Sequence, residues 1–186
     1  MCIGNADAGF ESEPEIGKFI SEKSGQLEFS ISDYYDNGSA GDLLVGVLFV
    51  LGFFLLSYKG PERIDNRAAD VGCVAALGLA LFPTTYCSDC WVHIMHFVFA
   101  LLLFSVFIFF SIYLFRKTNP NKTITTEKKY RNRVYLICGI IMIVCIVAIA
   151  ISLLVLDASV SEKYKLVYWF ESIALVSFGI SWITKS

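Results

Sequence analysis

The stretch that decides the fold opens Trp91-Val92-His93-Ile94-Met95-His96, continues as nearly unbroken apolar sequence to Phe115, and stops at Arg116-Lys117. About 20 apolar residues at a rise of 1.5 Å are enough to cross a bilayer, so this stretch is read as a membrane-spanning helix. It carries both histidines of the chain, His93 and His96, one turn apart near one membrane face. Four further apolar stretches flank it. The 186-residue chain is 56% hydrophobic, above the roughly 45–50% usual for soluble domains. The reading is an all-α integral membrane bundle of five transmembrane helices.

In chain order the expected spans are A (residues 41–58), B (69–86), C (91–115), D (134–156) and E (164–183). Span B repeats Gly72, Ala76 and Ala80 at intervals of four, a small-residue stripe that lets a neighbouring helix approach closely. Pro83 is expected to kink or fray its end. Span D has a narrow face of Cys145, Ala148 and Ser152, and a short polar turn over 157–163 leads into span E. There Ala174, Ser177 and Ser181 share a face with Glu171, so Glu171 is expected to point into the bundle. Trp169 and Trp182 are placed like interfacial anchors.

Residues 1–40 form an acidic N-terminal tail, and residues 41–186 the five-span domain. Ser12-Glu13-Pro14-Glu15 has capping-box spacing. Ile16, Phe19 and Ile20 follow at helical intervals, so this part reads either as a short amphipathic helix or as a mobile tail. Lys and Arg concentrate in the loops after span A and after span C, and the positive-inside rule places those loops in the cytoplasm. The chain then sits in the cell membrane with its N-terminus outside and its C-terminus cytoplasmic. A net charge of −2 gives no argument for nucleic acid. The expected partners are membrane lipid and other membrane proteins, a second copy included.

Ser30-Ile31-Ser32-Asp33-Tyr34-Tyr35, followed by Asp42-Leu43-Leu44-Val45-Gly46-Val47-Leu48, resembles a family of bacterial multi-span membrane proteins. So do Ser57-Tyr58-Lys59-Gly60, Ala80-Leu81-Phe82-Pro83-Thr84, His96-Phe97 and Phe178-Gly179-Ile180-Ser181-Trp182. The likeness runs from about Ser30 to the end and implies no activity. Family members have a further hydrophobic helix before the Ser-Ile-Ser segment, where this chain has its acidic tail. More distantly, the layout is similar to the Frag1/DRAM/Sfk1 membrane proteins and to the alkaline ceramidase and adiponectin-receptor group. The latter group implies a Zn²⁺ held by three histidines, a set that two histidines cannot supply.

Ionisable groups inside spans are costly and are therefore candidates for function. The candidate catalytic residues are His96, Glu171 and Asp42, and the candidate metal ligands are His93 and His96. All four fall in the outer half of the expected bundle. His93 and His96 either ligate a metal or shuttle protons, or they serve structure, with His93 at the interface and His96 hydrogen-bonded to a neighbouring helix. Glu171 is a base, a ligand, a partner of His96, or a paired structural carboxyl. Asp42 is a ligand or a helix-start residue. Cys87 and Cys90, outside the membrane, form a structural disulfide, act as a redox pair or remain free thiols. Catalytic pairs of this spacing usually open a helix beside a soluble redox fold, which favours the disulfide or free thiols.

Too few catalytic groups and no nucleotide motif favour a non-enzymatic protein that binds lipid or a partner, without a cofactor. The alternative is a membrane-embedded hydrolase or metal-dependent enzyme acting on lipid at the outer leaflet through His93, His96 and Glu171, with Zn²⁺. The absence of broken helices and repeated halves argues against a secondary transporter.

Overall fold

The computed structural model describes residues 27–84, 91–118, 125–156 and 158–185. Among these the chain is helical, without a strand. A 3-10 turn, Ser32–Asp36, leads into α1 (Gly38–Ser57), α2 (Arg63–Leu81), α3 (Trp91–Phe109), α4 (Thr126–Leu154), the short α5 (Ala158–Tyr164) and α6 (Leu166–Lys185). Helix α3 continues through a π-helical turn, Phe110–Leu114. The candidate 12–20 amphipathic helix and the Cys87/Cys90 pair lie outside the described residues.

Four helices are long and apolar enough to cross a membrane: Gly38–Ser57, Trp91–Leu114, Thr126–Leu154 and Leu166–Lys185. Their outward faces carry large bare apolar side chains such as Val50, Leu101, Val144 and Ile183, each more than half exposed. A water-facing surface rarely carries so much contiguous apolar area. The four helices suggest a membrane protein.

The helix at the position of span B differs from its expectation. It starts at Arg63, not at residue 69, because Glu62 and Asp65 form a reciprocal capping box. Its first two turns therefore carry Arg63, Asp65, Arg67 and Asp70, and it falls outside the apolar set. It is nonetheless the most enclosed helix. Gly72, Ala76 and Ala80 are all buried, as the stripe requires. A side chain at Gly72 would run into Leu55 of α1 and Val106 of α3. Pro83 does not kink it: the helix stops at Leu81, as expected just before a proline.

Other boundaries shift for local reasons. Thr125 accepts a hydrogen bond from the Lys128 amide and caps α4 about two turns before residue 134. The polar link expected over 157–163 contains a helix, Ala158–Tyr164, which ends at Lys165 in the left-handed conformation. Asp42 lies beyond the first turn of α1, on an exposed face.

The helices pack α1 on α2, α2 on α3, and α4 most extensively on α6. The small face of α6 meets α4 and the core: Ala174, Ser177 and Ser181 are buried. Trp182 packs into an aromatic cluster. Its ring sits among Phe54, Tyr58, Phe110, Phe115 and Phe178, with centroids 4.7–5.8 Å away. Such pairs contribute about 0.5–1.5 kcal/mol each beyond their burial. The π turn makes this cluster possible, because its wider winding aims Phe110 and Phe115 inward together, 5.7 Å apart.

Contacts assign the loops to two ends. At one end Lys117, after α3, bonds Asp65 and Glu62 at the start of α2. At that same end Lys128 reaches the Phe115 carbonyl, and the Tyr135 hydroxyl donates to the Thr184 carbonyl. Partial desolvation pulls the Lys117 ammonium down, but the bonds to Asp65 and Glu62 outweigh it and hold its pKa above the usual lysine value. The 3-10 turn, the end of α2 and the starts of α3 and α6 gather at the other end.

Candidate functional site

The opposite end is organised by the segment 29–36, which lies across the bundle as a strap. Local chemistry shapes it first. The Ser30 amide donates to Asp33 Oδ2 at 3.0 Å, and the Asp33 amide donates to Ser30 Oγ at 3.2 Å. This reciprocal pair has capping-box form and starts the 3-10 turn. A close approach fixes the other side: a side chain at Gly41 would collide with the Tyr35 carbonyl, so the strap can fold back on α1 only over a glycine.

The strap is then tied to three helices. The Tyr168 amide of α6 donates to the Phe29 carbonyl at 3.0 Å. The Ile31 amide donates to Glu171 Oε2 at 2.7 Å. Ser32 Oγ lies 3.0 Å from His96 Nε2 on α3. Thr84, after α2, donates to the Ser32 carbonyl at 3.2 Å and lies 3.4 Å from Asp33 Oδ1. The Tyr35 hydroxyl donates to the Ala80 carbonyl.

His96 is thereby fully engaged. Its Nδ1 stands 2.7 Å from the Phe82 carbonyl, which can only accept, so Nδ1 carries a hydrogen. In the neutral ring Nε2 is then the acceptor, and Ser32 donates to it. The ring is buried, 5% exposed. His93 differs: it is half-buried, its ring meets Phe97 edge-on at 4.8 Å, and its Nδ1 has no hydrogen-bond partner among the described residues.

His93, His96 and Glu171 all line one cavity of about 1260 Å³. Its polar end is the underside of the strap, together with these three side chains and Thr84. From there it runs between α3 and α4. The α3 wall is Phe97, Ala100, Leu101 and Phe104. The α4 wall is Ile146, Ile149, Ala150 and Leu153. Seven steps of 1.5 Å from the first to the last of these residues give each wall a length of about 10 Å.

The cleft exists because α3 and α4 diverge. They meet at the π turn, where Gly139 admits Ile112 so closely that any side chain there would overlap it. Toward the strap they separate. Phe97, Leu101 and Leu153 remain well exposed, so the cleft opens sideways on the apolar surface as well as under the strap. Drug-sized sites usually enclose about 300–1,000 Å³, and this one is larger.

Of the candidate residues, the structure brings His93, His96 and Glu171 together around one space and leaves Asp42 out, exposed on α1 and away from the cavity lining. His96 and Glu171 are linked through the strap, each bonding one of the consecutive residues Ile31 and Ser32. Both His96 nitrogens are occupied, and no group of three or more His, Cys, Asp or Glu side chains that could hold a metal occurs among the described residues. Reading the sequence by spans missed Ser30, Ser32, Asp33 and Thr84. The one available signal was the Ser-x-x-Asp spacing of Ser30 and Asp33.

Comparison of the chain with protein-family models, curated proteins and solved structures returned no match.

Proposed function

We propose that this chain is a non-enzymatic, five-span membrane protein that binds a lipid in the cleft between α3 and α4. The observation that carries the reading is the shape and chemistry of the cleft. It is polar under the strap, apolar along both helical walls, and open sideways where exposed Phe97, Leu101 and Leu153 would meet acyl chains. A head-and-tail molecule matches that gradient. A wholly polar substrate would strand the apolar walls, and a wholly apolar one would add no partner for Glu171 Oε1 or His93 Nδ1.

Helix α2 is the fifth span in this reading. Nineteen residues give about 28 Å at the helical rise, close to the bilayer core of about 30 Å. Its charged first turn lies at the level of Lys117 and its end at the level of His96. The basic end of the bundle, with Lys59, Arg63, Arg116, Lys117 and Lys185, faces the cytoplasm by the positive-inside rule. The strap and cleft mouth then belong to the outer leaflet.

Native mass spectrometry of the protein released from mild detergent tests the reading. Lipid adducts are expected on the unaltered chain and should be lost in an Ala100→Trp, Ala150→Trp variant whose indoles fill the cleft. Equal adducts on both would refute cleft binding.

A second reading has one favourable observation: the unpartnered Nδ1 of His93 shares the cavity with Glu171. It makes the protein a hydrolase or metal-dependent enzyme acting on lipid at the outer leaflet. The engagement of both His96 nitrogens supports it less well than lipid binding. Metal content of the purified protein, with and without His93, separates the two.

A further inference from the structure

The polar end of the cleft has a sign. Four carboxylate residues line it, Glu28, Asp33, Asp36 and Glu171, and among the described residues no Lys or Arg does. The charges are not equally committed. Asp33 is spent on the strap, with Oδ2 accepting from Ser30 and Oδ1 near Thr84. Glu171 is spent by half: Oε2 holds the Ile31 amide, and Oε1 has no hydrogen bond among the described residues. Asp36 lies exposed at the rim.

A carboxylate on a membrane helix with an unmet oxygen is expensive unless a cation or donor reaches it. Among the described residues no Lys or Arg lines this side of the cavity. Tyr34 and Phe97 are among the aromatic rings that line the cavity, and aromatic faces attract a cation in addition to its Coulomb partner. An anionic headgroup would meet carboxylates with only uncharged donors among the described residues to receive it, such as Asn37, Tyr34, Thr84, His93 and serine hydroxyls.

We infer that the lipid taken by the cleft carries a protonated amine headgroup, which lies beneath the strap at Glu171 Oε1 while its chain runs along the α3 and α4 walls. This rests on the lipid-binding reading and adds the charge of the ligand. Entry is lateral, between exposed Leu101 and Leu153, so the amine reaches Glu171 without leaving the membrane.

The test uses three probes of one chain length, hexadecylamine, hexadecanol and hexadecanoic acid, each bearing a chain diazirine. Each is photo-crosslinked to the full chain in phosphatidylcholine nanodiscs, and the labelled peptides are mapped. The amine is expected to label the 97–104 and 146–153 walls about tenfold more than the alcohol, a preference of about 1.4 kcal/mol, and the acid least. Glu171→Gln keeps an acceptor for the Ile31 amide and should bring the amine down to the level of the alcohol. Asp36→Asn, at the exposed rim, should lower the preference by less and without effect on folding. Equal labelling by amine and alcohol would overturn the charge inference and leave the lipid cleft standing, as would stronger labelling by the acid. No labelling of either wall by any probe would overturn both.

Discussion

His96 and Ser32, 64 positions apart in sequence, are joined by a 3.0 Å hydrogen bond between the imidazole Nε2 and the serine hydroxyl. The other nitrogen of the same ring holds the Phe82 carbonyl at 2.7 Å. One side chain thus ties the strap, the end of α2 and the start of α3 into one unit, and the roof of the cleft depends on it.

His96→Phe keeps the ring volume and removes both bonds. The Phe82 carbonyl and the Ser32 hydroxyl then lose their partner, at a cost of about 1–3 kcal/mol for a buried group left unmet. Thermal unfolding in detergent should show a lowered midpoint, and limited proteolysis should cut within 29–36 more readily. An unchanged midpoint and cleavage pattern would mean that the strap is held without His96.

Glu171 offers a comparison between two variants. Glu171→Leu strands the Ile31 amide and should lower stability by about 1–3 kcal/mol. Glu171→Gln retains an acceptor and should stay within about 0.5 kcal/mol of the parent. Equal losses in the two would show that the 2.7 Å bond is not what the carboxyl contributes to the fold.

The glycines separate tight packing from open space. A side chain at Gly78 would overlap the Phe99 ring, and one at Gly139 would overlap Ile112. Each Gly→Ala change there should cost about 1–3 kcal/mol, as overpacking does. Gly46 and Gly179 have nothing within 4 Å of an added Cβ, and alanine there should be neutral or slightly stabilising. The four variants can be ranked in one thermal-shift series, and a loss at Gly46 matching that at Gly78 would contradict the packing described.

At the other end, Asp65 is 1% exposed, closes the capping box of α2 and receives Lys117 at 2.5 Å. Asp65→Ala should lose about 1 kcal/mol from the cap alone, and more through the stranded ion pair. Asp65→Asn should fall between the two. Because Lys117 has a raised pKa, its part in the link is complete below the ordinary lysine value of 10.5 and fades as pH rises through the raised value. Unfolding midpoints of the parent and the two variants, followed into alkaline pH, should draw closer there, down to the difference left by the cap. Parallel curves would show that Lys117 contributes nothing.

Orientation is tested by labelling. With an impermeant thiol reagent on intact cells, a single cysteine at position 87 should react, whereas Ile124→Cys should react only after permeabilisation. The reverse pattern would invert the bundle and move the cleft to the inner leaflet. Mass spectrometry without reductant on the unaltered chain should show Cys87 and Cys90 linked, as an oxidising exterior favours.

The sequence alone determined the helical, membrane-like character, since length and apolar content are properties of each stretch by itself. It also placed the small-residue faces of α2 and α6, because helical periodicity needs no partner to be read. It misjudged where α2 starts, because the Glu62–Asp65 capping box extends the helix through charged residues that hydropathy excludes. The aromatic partners of Trp182 were not legible for a related reason: a tryptophan near a helix end looks the same whatever rings it meets. Only the tertiary structure decided that His96 is occupied on both sides, that Asp42 lies apart, and that α3 and α4 part to form a cleft. Those facts depend on the strap returning over Gly41 and on Gly139 pinning the helices at one end. Contacts between positions so distant in the chain leave no local period to read.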